Sequence, residues 1–174
     1  DGFTVRQISE KAVEVLVDYS FPGSEIHQQV KYTMYSSGDI EVTGKFDPGA
    51  APLPEMPRLG MKMKVNKILG KMEWYGRGPH ENYCDRNSSA FVGIYKSTPE
   101  GQYFPYIRPQ ENGYRTDTRW LTLTDHQGIG LRITGMPLFG FSALPYTIGD
   151  LDQGTKKNYQ HTCDLVPADL YEVM

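Results

Sequence analysis

Two short stretches of the chain concentrate side chains able to do chemistry. The first is Trp74-Tyr75-Gly76-Arg77-Gly78-Pro79-His80-Glu81-Asn82-Tyr83-Cys84-Asp85-Arg86. It mixes aromatics, arginines, a histidine and acids, broken by glycine and proline. Polar side chains crowded on a glycine-rich loop can converge on a sugar or on another protein surface. They can equally tie the loop together through pairs such as Arg86 with Asp85 or Glu81. Gly76-Arg77-Gly78-Pro79 lacks the spacing of a nucleotide-binding glycine loop, and no strand–helix–strand pattern surrounds it. The second stretch is Arg108-Pro109-Gln110-Glu111-Asn112-Gly113-Tyr114-Arg115-Thr116-Asp117-Thr118-Arg119-Trp120. Alternation along a strand would put Arg115, Asp117 and Arg119 on one face, with Trp120 opposite them in the core. That face reads either as a self-paired solvated surface or as a charged and amide-bearing surface for sugar hydroxyls. The candidate carbohydrate contacts are Arg77, His80, Glu81, Glu111, Asn112, Arg115 and Arg119.

Hydrolysis of a glycosidic bond needs two carboxylates roughly 5 to 10 Å apart. Glu81, Asp85, Glu111 and Asp117 are available, but nothing in their spacing selects a pair, and no catalytic residue is assigned. His27, His80, His126 and His161 show no metal-ligand spacing, and no serine sits in a G-x-S-x-G turn. Neither a metal nor a cofactor is expected. The two cysteines, Cys84 and Cys163, lie far apart and form no framework. Both are expected to be buried free thiols.

These stretches must be carried by strands. Residues 11–21 place Val13, Val15 and Val17 on one face and Glu14 and Asp18 on the other. Residues 26–35 alternate Ile26, Val30, Tyr32 and Met34 with polar neighbours. Ser36-Ser37-Gly38-Asp39 turns the chain into a return strand over 40–46, which makes a hairpin. Residues 47–57 carry Pro48, Pro52, Pro54 and Pro57, so they read as a loop. Further strands are expected over 59–65, 68–75, 90–95, 116–124, 129–134 and 170–174, with a loop over 76–87. Residues 102–108 should be extended, and Asp125-His126-Gln127-Gly128 closes a second hairpin. Thr147 with Asp150 has the form of a capping box, so a short helix or turn is expected over 147–155.

The 174 residues are 39% hydrophobic, enough to build a core, with a net charge of -3. That balance offers no general attraction to nucleic acid or to anionic lipid, and neither is expected as a partner. No apolar stretch is long enough to span a bilayer as a helix, and no signal-peptide pattern opens the chain. The chain is therefore expected to be cytosolic, or to have its signal elsewhere. The compartment, cytoplasm or periplasm, is left open. One all-β domain over 1–174 is expected, an antiparallel β-sandwich with at most one or two short helices.

The two stretches also carry a resemblance. Glu73-Trp74-Tyr75-Gly76-Arg77-Gly78-Pro79-His80-Glu81-Asn82-Tyr83, followed by Asp85-Arg86, resembles the W-x-G-x-G-P-x-E-N-Y-x-D-R signature of the C-terminal domain of bacterial β-galactosidases of glycoside hydrolase family 2. Tyr106-Ile107-Arg108-Pro109-Gln110-Glu111-Asn112-Gly113 and Arg115-Thr116-Asp117-Thr118-Arg119 resemble the next segment of that domain, in the same order and at the same spacing. The resemblance implies a galactose-mutarotase-like supersandwich. It places the catalytic glutamates in a separate TIM barrel, which nothing in this chain resembles. This chain would then be a C-terminally shortened, inactive piece of an enzyme that cleaves terminal β-galactosides with retention. Its partners would be the parent's other domains, with a galactose-type sugar as a further candidate, and a homo-oligomeric parent is expected. In that family a tryptophan on a G-G-D-x-S-W-like loop reaches the active site. No such segment occurs before Met174, and Trp74 and Trp120 lie in other motifs. A stand-alone carbohydrate-binding or aldose-epimerase-like domain is the alternative, although no mutarotase motif can be matched residue by residue.

Overall fold

The computed structural model describes residues 2–50, 52, 54–56, 58–152, 154 and 161–174. The chain divides into two compact units, Asp1–Leu59 and Gly60–Met174.

The N-terminal unit is a four-stranded antiparallel meander in the order β1-β2-β3-β4, with β1 Gly2–Ser9, β2 Ala12–Ser20, β3 His27–Tyr35 and β4 Ile40–Asp47. The valine alternation sets its register. Phe3 lies opposite Val17, and Val17 opposite Val30; Val5 lies opposite Val15, and Val15 opposite Tyr32. Tyr32 then faces Val42, and Met34 faces Ile40. Directly opposed residues share a face, so these side chains form one apolar surface. The other face carries Arg6, Glu14, Asp18 and Gln29, joined by the pairs Arg6–Glu14 at 3.1 Å and Gln29–Asp18 at 2.8 Å. The β3–β4 turn needs a left-handed residue, and Gly38 supplies it with φ +94°. Strand β1 was not expected. Its signal was Phe3-x-Val5, too short to stand out without the partner strand beside it.

The C-terminal unit is built from two antiparallel sheets. Strands β6 Lys71–Gly78, β7 Phe91–Ser97, β8 Arg115–Thr124 and β9 Gly130–Phe141 form one in the order β7-β6-β8-β9. Strands β5 Met63–Asn66, β10 Ala143–Leu144 and β11 Leu170–Val173 form the other in the order β10-β11-β5. Met72, Trp74, Leu121, Leu123 and Phe141 of the larger sheet pack with Ala143 and Val173 of the smaller. Met63, Val65, Tyr95 and Ile133 close round this core. This is the expected all-β antiparallel sandwich packing, two sheets burying their facing rows. The only α-helix among the described residues is α1, Ile148–Leu151. Thr147 Oγ1 accepts from the Asp150 N–H at 3.2 Å and the Asp150 carboxylate accepts from the Thr147 N–H at 2.8 Å, the expected capping box. Residues 153 and 155 of the expected turn, and 51, 53 and 57 of the proline-rich loop, lie outside the described residues.

Several boundaries move. The expected strand over 59–65 contracts to Met63–Asn66. The strand expected from residue 68 starts at Lys71, because Asn66 closes a turn first: its carbonyl accepts from Leu69 N–H at 3.0 Å and its Oδ1 from Ile68 N–H at 2.9 Å. Strand β6 continues through Gly76 to Gly78, where a loop was expected. Strand β9 runs to Phe141 rather than Thr134; it is the edge strand, where Pro137 removes no needed donor. Trp120 is not in the core. The strand pairing shifts between Thr118 and Trp120, so Leu121 and Leu123 point inward, both fully buried, and Trp120 faces outward beside Tyr75. Cys84 and Cys163 are free, as expected, but exposed rather than buried. Cys84 lies in the turn closed by Tyr83 and Arg86, and Cys163 in the 3-10 helix Thr162–Asp164, neither on a strand's apolar face. No helix among the described residues is long and apolar enough to cross a membrane.

Candidate functional site

Strand β6 and strand β8 bring the two polar stretches together. Tyr75 and Trp120 are direct partners, as are Trp74 and Leu121. Gly76 makes this approach possible, since a Cβ there would lie 2.6 Å from Thr118 Oγ1 and 2.9 Å from its Cα. Gly78 is equally enclosed, with Tyr95 and Trp74 ring atoms at 2.8 and 2.9 Å from such a Cβ. The glycines therefore serve packing, and the chain leaves β6 into residues 79–90 against the start of β8.

Asn82 ties the two segments and is fully buried. Its Oδ1 accepts from the Thr116 N–H at 3.0 Å and the Thr116 hydroxyl at 2.7 Å. Its Nδ2 donates to the His80 carbonyl at 3.1 Å, and its own N–H donates to the Tyr114 carbonyl at 2.9 Å. Glu81 bridges as well, accepting from the Gly113 N–H at 2.8 Å and from Arg86 Nη2 at 3.3 Å. The Arg86 guanidinium also lies 4.5 Å from the centroid of Tyr83, which stacks on Tyr114. Asn112, fully buried, donates to the Phe104 and Gln110 carbonyls, each at 3.2 Å, and so shapes residues 103–112 from within.

Arg115 is only 3% exposed. It donates to the Pro79 carbonyl at 2.9 Å and the Tyr114 carbonyl at 3.1 Å, and its guanidinium lies 5.4 Å from the centroid of the Trp74 ring. Burial pushes its pKa down to about 10, while the Glu81 carboxylate and Tyr83 act in the opposite direction. It stays a cation at neutral pH.

Asp117 adopts φ +51° and its carboxylate accepts from Arg77 Nε at 2.5 Å, rather than pairing with its neighbours on β8. Arg77 also donates to the carbonyls of Asn87 at 3.2 Å and Ala90 at 2.9 Å. Arg119 donates to the Asp117 carbonyl at 2.5 Å and lies over Tyr75 at 5.3 Å. The bulge between Arg115 and Thr118 breaks the simple alternation that would have aligned the three charges.

The seven candidates thus fall into three groups. Glu81, Glu111, Asn112 and Arg115 belong to the interlocked loops, where Glu111 offers its carbonyl to the Tyr83 hydroxyl at 3.3 Å. Arg77 and Arg119 meet at Asp117. His80 lies exposed, its Nε2 3.0 Å from Ser89 Oγ. Sequence reasoning passed over Asn82 and Thr116, the most deeply committed pair. Their signal was an amide inside the motif with no charge to draw attention. Among the described residues, no three His, Cys, Asp or Glu side chains stand close enough to share a metal ion. A cleft of about 180 Å³ lies elsewhere, lined by residues including Lys64, Thr147 and Glu172, and includes none of the seven.

An antiparallel sandwich with a fully interlocked pair of signature loops defines this as a structured β domain. The chain belongs to the β-galactosidase small chain family, whose model matches residues 2–174. It is 37% identical to a β-galactosidase of Priestia megaterium over 90% of the chain and 15% of that protein. It is 32% identical to one from Streptococcus thermophilus over 95% of the chain and 16% of that protein. Against one from Vibrio cholerae it is 33% identical, over 97% of the chain and 15% of that protein. The chain therefore spans about 15% of the length of these relatives.

Proposed function

We propose that the chain is a non-catalytic domain of a β-galactosidase of glycoside hydrolase family 2. The parent enzyme hydrolyses terminal β-D-galactosides with retention, and this domain, of supersandwich form, supports its catalytic barrel. Membership of the small chain family supports the parent activity. The observation that carries the non-catalytic role is the engagement of the acids in the signature loops. Glu81 is held by Arg86 and the Gly113 amide, and Asp117 by Arg77. Carboxylates engaged by donors of their own fold serve to tie the loops together, whereas glycosidic cleavage needs two acids facing one bond. The reading calls for no cofactor.

Assaying hydrolysis of a chromogenic β-galactoside tests it. The 174-residue chain is expected to give the buffer rate, and the longer polypeptide containing it to turn substrate over. Turnover by the chain alone would overturn the non-catalytic role; an inactive longer polypeptide would overturn the parent activity.

A second reading, direct contact with a galactose-type sugar, is favoured by the exposed His80–Ser89 pair and by Tyr75 with Arg119. Titrating the chain with galactose should then shift NMR resonances at these residues. No shift at millimolar sugar removes this reading and leaves the supporting role.

A further inference from the structure

The outer face of the smaller sheet carries a charged cleft that the signature loops do not use. Strand register sets its floor. Glu172 on β11 lies directly opposite Lys64 on β5, and opposed residues share a face with their Cβ atoms about 4.5–5.5 Å apart. Val65 and Val173 point the other way, into the core. The segment leaving β10 closes one side: the Ile148 N–H donates to Glu172 Oε1 at 3.0 Å, and the Ala168 N–H to the Pro145 carbonyl at 2.8 Å. The cleft of about 180 Å³ is lined by Lys64, Thr147, Ala168, Asp169, Leu170 and Glu172. Its charged groups are under-used by the fold. Glu172 is 4% exposed, and burying a charge is costly unless it is paired and hydrogen-bonded. A carboxylate has about four lone-pair sites, yet among the described residues this one accepts a single hydrogen bond, from Ile148. Lys64 occupies the facing position, but no ion pair joins the two. The Asp169 side chain likewise has neither a hydrogen bond nor an ion pair among the described residues.

We propose that this cleft binds one neutral hexose in its pyranose form. The site is made of this chain's own residues, so it stands independently of the parent activity, and it is separate from the surfaces at His80 and Tyr75. Size, polarity and charge select the ligand. The volume of about 180 Å³ holds about six waters at roughly 30 Å³ each. That is room for one sugar ring, and less than the roughly 300–1,000 Å³ of sites for drug-sized ligands. The Lys64 ammonium only donates, and the Asp169 and Glu172 carboxylates only accept. Hydroxyls do both, so a single polyol can serve both sets at once. Ala168 and Leu170 give the C–H face of the ring an apolar wall. One ammonium against two carboxylates repels an anion. Any charged ligand would also add its own desolvation cost to a floor that already buries a carboxylate, whereas hydroxyls do not.

Titrating the 174-residue chain with galactose, followed by amide NMR, tests the site. The amides of Thr147, Ala168 and Leu170 are expected to shift together along one saturation curve, with half-saturation at about 1–10 mM, the strength available to so small a neutral ligand. Lys64→Met and Asp169→Ala change exposed side chains and should leave the rest of the spectrum in place. Each should weaken binding about tenfold, the scale of losing a hydrogen bond to a charged group. No saturable shift at these amides by about 100 mM galactose, ten times the upper expectation, would overturn the proposal. So would a saturation curve that both variants leave unchanged. Shifts confined to the surroundings of His80, Ser89, Tyr75 and Arg119 would overturn the cleft and keep sugar contact at that other surface. Alanine or calcium chloride moving the same amides where galactose does not would overturn the sugar assignment in favour of a zwitterion or a cation.

Discussion

At Asn82, one amide side chain organises two loops. Removing it leaves the Thr116 N–H and the His80 carbonyl without their partners, and each buried orphan costs about 1–3 kcal/mol. Asn82→Ala is therefore expected to lower stability by about 2–6 kcal/mol, seen as a lower urea midpoint with an unchanged slope. A shift of under about 0.5 kcal/mol, the usual scale of a surface change, would mean that the loops are held by something else. Tyr171 allows a test by pH. It is 3% exposed, and burial, then the 2.5 Å hydrogen bond its hydroxyl donates to Glu100, raise its pKa from the ordinary 10.0. The folded state thus keeps the proton after the unfolded chain has released it. Its stabilising contribution is whole below the unfolded value and is lost as pH rises above about 10. Tyr171→Phe should flatten part of that alkaline fall in the urea midpoint; an identical pH profile would refute the linkage. Residue roles were the least legible part of the sequence. Trp74 and Trp120 carry the same propensity, and only the shifted pairing after Thr118 decides that one is core and the other is not. The buried role of Arg115 was hidden for a similar reason: its partners are backbone carbonyls, which leave no mark on composition.

At the scale of elements, strand β6 fits against β8 only because Gly76 has no side chain. Gly76→Ala would set a methyl 2.6 Å from Thr118 Oγ1 and 2.9 Å from its Cα. Forcing extra volume between backbones costs about 1–3 kcal/mol. Gly60→Ala, where a Cβ would meet nothing within 4 Å, should change stability by no more than about 0.5 kcal/mol. Thermal unfolding of the two variants side by side checks the contrast; equal losses would show that the close approach can relax. The elements themselves were largely legible. Period-two alternation marked β2, β3 and β4, and the Thr147–Asp150 pair marked α1, since both signals are local. What escaped was set by distant partners. Strand β1 depends on β2 for its meaning, and β9 passes Pro137 only because no strand lies beyond it.

For the molecule as a whole, the exposure of Phe3, Val5, Ile40 and Val42 has a thermodynamic consequence. In the 174-residue chain alone these groups meet water, so a charge placed among them removes no packing. Val42→Lys in that chain is expected to leave the melting temperature unchanged and to weaken binding of a hydrophobic fluorescent dye. Thr43→Lys, on the polar face, should leave dye binding as well as the melting temperature unchanged. The contrast between the two substitutions is the diagnostic result, because a merely disordered strand would respond to Val42→Lys and Thr43→Lys alike. The alternation of valines already announced in sequence that one face of this sheet is apolar; which partner covers it is not written in these strands, because sheet-to-sheet packing is specified by both surfaces together. If Val42→Lys lowers the melting temperature of the 174-residue chain by several degrees, as burying an unpaired charge and losing a valine worth about 1.5–3 kcal/mol would, the face is part of an ordinary core.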